Sequence, residues 1–105
     1  MLGEVLRLIR MCNEDMSIKK ASYLSWMSHS YISMVEKGSK NISLVSLKRL
    51  AKVYNMPVSK IFYFEEIQHQ LQLDREHLMI EILKYYLYEL DSQKKEECSY
   101  GTKVR

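Results

Sequence analysis

The sequence predicts an all-α fold in which five short helices are followed by one long helix. Three glycines and one proline among 105 residues are too few for the turns that a sheet of this size needs. Apolar residues recur at spacings of three and four along most of the chain. Serine, asparagine, aspartate or glycine stands at most boundaries where a helix must be capped or stopped. With 47% apolar and 28% charged residues, the composition is that of a globular chain long enough for one compact domain with an appendage.

Leu2, Val5, Leu6 and Ile9 form one face of a first helix, which Asn13-Glu14-Asp15 ends. Ser17 is the expected N-cap of a second helix over 18–25, and Ser28 that of a third over 29–37, stopped by Gly38. A polar loop over 39–42 leads to Ser43, which caps a fourth helix over 44–54. Its buried face is expected to carry Leu44, Leu47, Leu50, Ala51 and Tyr54. Asn55 suits a left-handed position after that helix, and Pro57 sets the start of a fifth that ends near Phe62. Residues 63–73 are compatible with a linker or a short helix. Asp74 then caps a helix over about 75–94, on which Met79, Ile80, Ile82, Leu83, Tyr86, Leu87 and Leu90 fill an apolar arc of about 160°. The domain limits that follow are a headpiece at 1–64, a linker or short helix at 65–74, a pairing helix at 75–97 and a flexible tail at 98–105.

Net charge is +3, but it is unevenly spread. Residues 1–64 hold ten Lys/Arg against four acids, and residues 65–105 hold six against nine. A basic head on an acidic tail points to a polyanion as the partner of the head. Cys12 and Cys98 make no disulfide framework, and His29, His69 and His77 have no metal-ligand spacing. No cofactor is expected. The first twelve residues include Glu4, Arg7 and Arg10, so no leader is expected, and the run from Leu78 to Leu90 is too charged to span a bilayer. The expected location is the reducing cytoplasm, away from membranes. His29 lies beside Ser30 and near Ser33, but no carboxylate is placed to orient the imidazole, so no enzyme is expected.

The stretch from Leu2 to Phe62 resembles the Cro/C1-type (XRE family) helix-turn-helix domain of phage and bacterial repressors. The matching residues are Met16-Ser17, the run from Ser28 to Gly38, Ser43-Leu44 with Leu47 and Leu50-Ala51-Lys52, then Met56, Val58, Ile61 and Phe62. The pattern of the third helix fits a helix laid in a major groove, because Ile32 and Val35 face inward while short polar residues face out. The resemblance implies a double-stranded DNA operator as partner, with His29, Ser30, Ser33 and Met34 in base-reading positions. It implies that Lys37, Lys40 and Asn41 lie along the phosphate backbone, with Lys19, Lys20 and Ser28 at helix starts able to do the same. Tyr31 is expected to be partly buried or bonded to backbone, and Glu36 to pair with a basic residue of the first helix. Three positions depart from the family: Ile18 where a polar side chain touches phosphate, Ser25 where a core leucine is frequent, and Trp26 where the turn has glycine.

Such domains act as dimers, and the apolar arc on the last helix is the expected pairing surface, through Met79, Ile82, Leu83, Tyr86, Leu87 and Leu90. The same arc is wide enough to fold back on the headpiece. A basic headpiece with a helical multimerisation tail is similar to Sin-type repressors, which implies a paralogous repressor or a small antagonist protein as a further partner. The expected function is a sequence-specific transcriptional regulator, a repressor, acting as a homodimer. Ile18 and Trp26 motivate an alternative, an antagonist paralogue that forms mixed oligomers and binds DNA poorly; an antitoxin role is also compatible.

Overall fold

A computed structural model describes the backbone of residues 2–104 and the side chains of residues 2–89. The order is α1 (Leu2–Cys12), α2 (Ile18–Ser25), α3 (His29–Lys37), α4 (Leu44–Val53), α5 (Val58–Leu71) and α6 (Arg75–Val104). Every regular element among the described residues is an α-helix, as the sparse glycine and proline predict.

The helix starts follow the serines. The Oγ atoms of Ser17, Ser28 and Ser43 accept hydrogen bonds from the N–H groups of Lys20, Tyr31 and Ser46 at 3.0, 3.0 and 3.2 Å. Asp74 does the same for His77 at 2.9 Å. Each satisfies one N–H that the first turn leaves without an intrahelical partner. The ends share a second device, a left-handed residue just past the helix: Trp26, Gly38, Asn55 and Gln72, with φ of 60°, 83°, 52° and 49°. The N–H groups of Met27, Ser39, Met56 and Leu73 then reach back five residues to carbonyl groups at 3.3, 3.0, 3.0 and 3.2 Å.

Val5, Leu6, Leu8 and Ile9 of α1, Ala21, Ile32, Val35, Leu47, Leu50, Tyr54, Ile61 and Phe64 form one core. α1 is central: it packs against α3, α5 and α6. Leu44, expected on the buried face of α4, is instead 57% exposed. It stands in the first turn, where α4 overhangs a cleft, and the core face begins at Leu47. The segment expected as a linker or a short helix is helical, as a continuation of α5 to Leu71 and not as a separate element. Glu65, Glu66, Gln68 and Gln70 are good helix formers, and nothing before Gln72 stops the helix.

That longer α5 carries Phe64 and Lys60 to α6. The Lys60 ammonium stands 4.2 Å from the ring centre of Tyr63 and 5.3 Å from that of Tyr85, a cation–π arrangement across the two helices. α6 folds back on the headpiece through Leu78 and Ile82, both fully buried. Tyr86 joins them. Its hydroxyl donates to the Tyr54 carbonyl at 2.5 Å and accepts from Asn13 Nδ2 at 2.9 Å. Ile82 and Tyr86 are therefore committed to this chain's own core, which corrects their expected place at a dimer surface. Met79 is half-buried, Leu83 and Leu87 are exposed, and Leu90 lies outside the residues whose side chains are described. The stretch expected as a flexible tail over 98–105 continues α6 as far as Val104.

Beneath the core, Arg10 of α1 meets Glu36 of α3 in a bidentate pair, Nε to Oε2 at 2.8 Å and Nη2 to Oε1 at 2.9 Å, while Nη1 donates to the Met16 carbonyl at 2.6 Å. The pairing expected for Glu36 thus falls on Arg10. The Tyr54 hydroxyl lies in the same low-dielectric region, and burial pushes its pKa up. Among the described side chains it is the buried polar group that has no hydrogen-bond partner in the chain. Tyr54→Phe is accordingly expected to raise stability by about 1 kcal/mol in denaturant titration, because it removes a desolvated donor and keeps the ring. A loss of that size would show that the hydroxyl is satisfied in solution.

Candidate nucleic-acid interface

The α2–turn–α3 segment holds no carboxylate between Asp15 and Glu36. Glu36 itself is turned inward onto Arg10, so its charge is neutralised below the surface. The outer side of this segment is therefore uncharged or basic throughout. His29 and Ser30, in the first turn of α3, are exposed; Met34 is 39% exposed and Ser33 half-buried. Ile32 and Val35 are buried beneath them. One face of α3 is thus fixed by aliphatic packing, and the opposite face presents short polar groups and a thioether to solvent.

Lys19 and Lys20 stand exposed on α2, Lys37 ends α3, and Lys40 and Asn41 follow it, all three exposed. Ser33, Lys37, Lys40 and Asn41 are brought together on one cleft of about 1070 Å³, shared with Leu44, Phe62 and Arg7. Lys19, Lys20, His29, Ser30 and Met34 do not line that cleft. Ser28 is exposed, but its Oγ is occupied by the α3 cap.

The loop after α3 is held by Tyr31. Its hydroxyl accepts from the Ser43 N–H at 3.3 Å, and its ring carries the Lys40 ammonium 5.4 Å from the centroid. Hydrogen bonding from Ser46 first, then from Ser43, with Lys40 nearby, draws the phenol below its ordinary pKa. Tyr31 thereby ties α3 to the loop that follows it, in agreement with its expected bond to backbone.

Trp26 keeps the left-handed turn that glycine would supply, with ψ of 31°, and its side chain points to solvent, 90% exposed. The turn is closed by Ser22, whose carbonyl accepts from the Trp26 and Met27 N–H groups and whose hydroxyl donates to the Met27 carbonyl. Ser25 is buried at the family's leucine position, and Leu24 beside it is 48% exposed. Ile18 packs against the core edge.

Sequence reasoning missed a second exposed apolar set, Leu44, Val45 and Phe62, at 57%, 65% and 44%. A signal for it exists: Val45 lies off the Leu47–Leu50–Ala51–Tyr54 stripe and so has no core to face. Arg7, at the wall of the cleft, was also missed.

The family described as Helix-turn-helix matches residues 6–61. The chain is 27% identical over 67 residues to the Control protein C.BamHI of Bacillus amyloliquefaciens, which covers 64% of this chain and 83% of that protein.

Proposed function

The chain belongs to the Cro/C1-type helix-turn-helix family and is a DNA-binding transcriptional regulator, and from that premise we propose that it represses transcription as a homodimer seated on an operator of two half-sites. In this reading His29, Ser30, Ser33 and Met34 meet base edges, and Lys19, Lys20, Ser28, Lys37, Lys40 and Asn41 meet the backbone. The observation that carries the reading is the polar, acid-free face of α3, backed by Ile32 and Val35. Ser28 contributes to phosphate through its place at a helix start rather than through Oγ. A dimer covering two half-sites excludes other proteins from that stretch of promoter, so repression needs no further surface.

The pairing surface we favour is Leu44, Val45 and Phe62. Leu44 and Phe62 share a cleft with Ser33, Lys37 and Lys40, so a second copy docked there places both reading helices on one side of a duplex, as half-sites about 34 Å apart require. α6, which carries Leu83 and Leu87, packs against α1 and α5. Leu44→Asp with Val45→Asp is expected to give monomers in sedimentation and to lose cooperative binding to a two-half-site duplex. Leu83→Asp with Leu87→Asp is expected to leave the dimer intact; the opposite pattern would assign pairing to α6.

Titration of the protein with duplexes from its own upstream region, at several salt concentrations, tests DNA binding itself. Affinity is expected to fall steeply with salt as condensed counterions are released, and each of Lys19, Lys20, Lys37 and Lys40 changed to Gln should lower the log–log slope by about 1 per copy. Absence of binding at low salt, together with tight association with a paralogous repressor, would instead support an antagonist.

A further inference from the structure

Trp26 combines two unfavourable features in the isolated chain. A non-glycine residue in the left-handed region costs on the order of 1 kcal/mol, and an indole that is 90% exposed leaves a large apolar surface in water. Glycine at this turn would avoid both. The surroundings name the complementary surface. Lys19, Lys20 and Tyr23 lie on one flank of α2 by helical spacing, and Tyr23 is 73% exposed. Ser28, two residues after Trp26, opens α3. No acidic residue falls in the whole segment between Asp15 and Glu36.

We infer that the Trp26 side chain is a DNA-contacting group that docks on the sugar–phosphate edge of the operator beside the reading helix. An indole fits that edge: its ring packs on deoxyribose and its N–H donates to a phosphate oxygen, while the adjacent lysines neutralise the flanking charge. The contact carries no base information. It fixes where the N-terminal end of α3 enters the groove. This inference rests on the operator-binding reading above and adds to it a residue that the family pattern does not place there.

Trp26 is the single tryptophan among eight tyrosines, so emission excited at the red edge of the spectrum reports on this side chain alone. Two signals are followed together, that emission and the anisotropy of a labelled duplex from the upstream region. Trp26 emission is expected to change and to saturate at the same protein-to-duplex ratio as the anisotropy. Trp26→Gly is expected to fold at least as stably, since glycine suits the turn, and to bind matched and scrambled duplexes about tenfold more weakly alike. Trp26→Phe, which keeps the ring but not the donor, should fall between. Rising anisotropy with unchanged Trp26 emission, or unaltered affinity of Trp26→Gly, would overturn the inference and leave operator binding standing. An emission change that follows protein concentration without duplex would also overturn it, assigning the indole to a contact between copies. No anisotropy rise at all would overturn operator binding itself, and this inference with it.

Discussion

Removing either partner of the Arg10–Glu36 pair is expected to cost about 3–5 kcal/mol, because the remaining charge is left buried and unpaired. The side chains are only 11% and 5% exposed, so water cannot take over. Arg10 also holds the Met16 carbonyl, which leads into α2. Arg10→Ala therefore frees three elements at once, while Glu36→Ala strands a guanidinium that stays charged at any ordinary pH. Against a total stability of about 5–15 kcal/mol for a small domain, either change should leave a large part of the chain unfolded near 37 °C, as seen by circular dichroism in a urea titration. A combined Arg10→Met, Glu36→Leu variant should recover most of the loss, since an apolar pair carries no desolvation debt. A small effect of Glu36→Ala would mean that the pair is solvated in solution. DNA binding should fall in parallel with the folded fraction, not ahead of it, because Glu36 faces α1.

Gly3→Ala is the second large effect, and its sign is opposite to helix propensity. In an exposed helix the change would stabilise by about 1 kcal/mol. Here a Cβ on Gly3 would meet the Val35 carbonyl oxygen in overlap and the Glu36 carbonyl oxygen at 3.0 Å. Both are backbone atoms at the end of α3 and cannot swing aside. The first turn of α1 must lift off α3, and Leu2, Val5 and Leu6 lose contacts with it. We expect destabilisation by about 2 kcal/mol, read as a lower midpoint in denaturant at unchanged slope. Gly38→Ala provides the contrast, as nothing lies near its added Cβ and only the φ of 83° is unfavourable. Its cost should stay near 1 kcal/mol. A stabilised Gly3→Ala variant would show that α1 and α3 are not in close approach.

Features decided within a few residues were legible in the sequence. The caps at Ser17, Ser28 and Ser43, the stops at Gly38 and Asn55, and the inward face of α3 depend on local hydrogen bonding and helical period alone. Trp26 was legible as a strained turn residue, and the structure resolves how: the backbone takes the glycine conformation and the ring is left outside. What depends on tertiary register was not legible. An apolar arc of about 160° on the last helix has two usable halves, and nothing local selects Ile82 and Tyr86, with Leu78 just beyond the arc, for the core over Leu83 and Leu87. The extension of α5 past Phe62 had a local signal in Glu65, Glu66, Gln68 and Gln70, and Phe64 and Lys60 meeting Tyr85 across the helices add to it. Gly3 was passed over because a close approach involves a partner 32 positions away, at Val35. The candidate base-reading residues came from the family resemblance, and of these His29, Ser30 and Met34 are exposed, whereas Leu44 and Phe62 became visible only once the cleft closed around them.

The reading face of α3 is tested most directly by the ratio of matched to scrambled duplex affinity, measured at one fixed salt concentration for the parent chain, Ser30→Ala and Met34→Ala. Each variant is expected to lose about 1–3 kcal/mol on the matched duplex and nearly nothing on the scrambled one, so that the ratio collapses while backbone binding persists. Equal losses on both duplexes, or no loss on either, would contradict base reading by this helix.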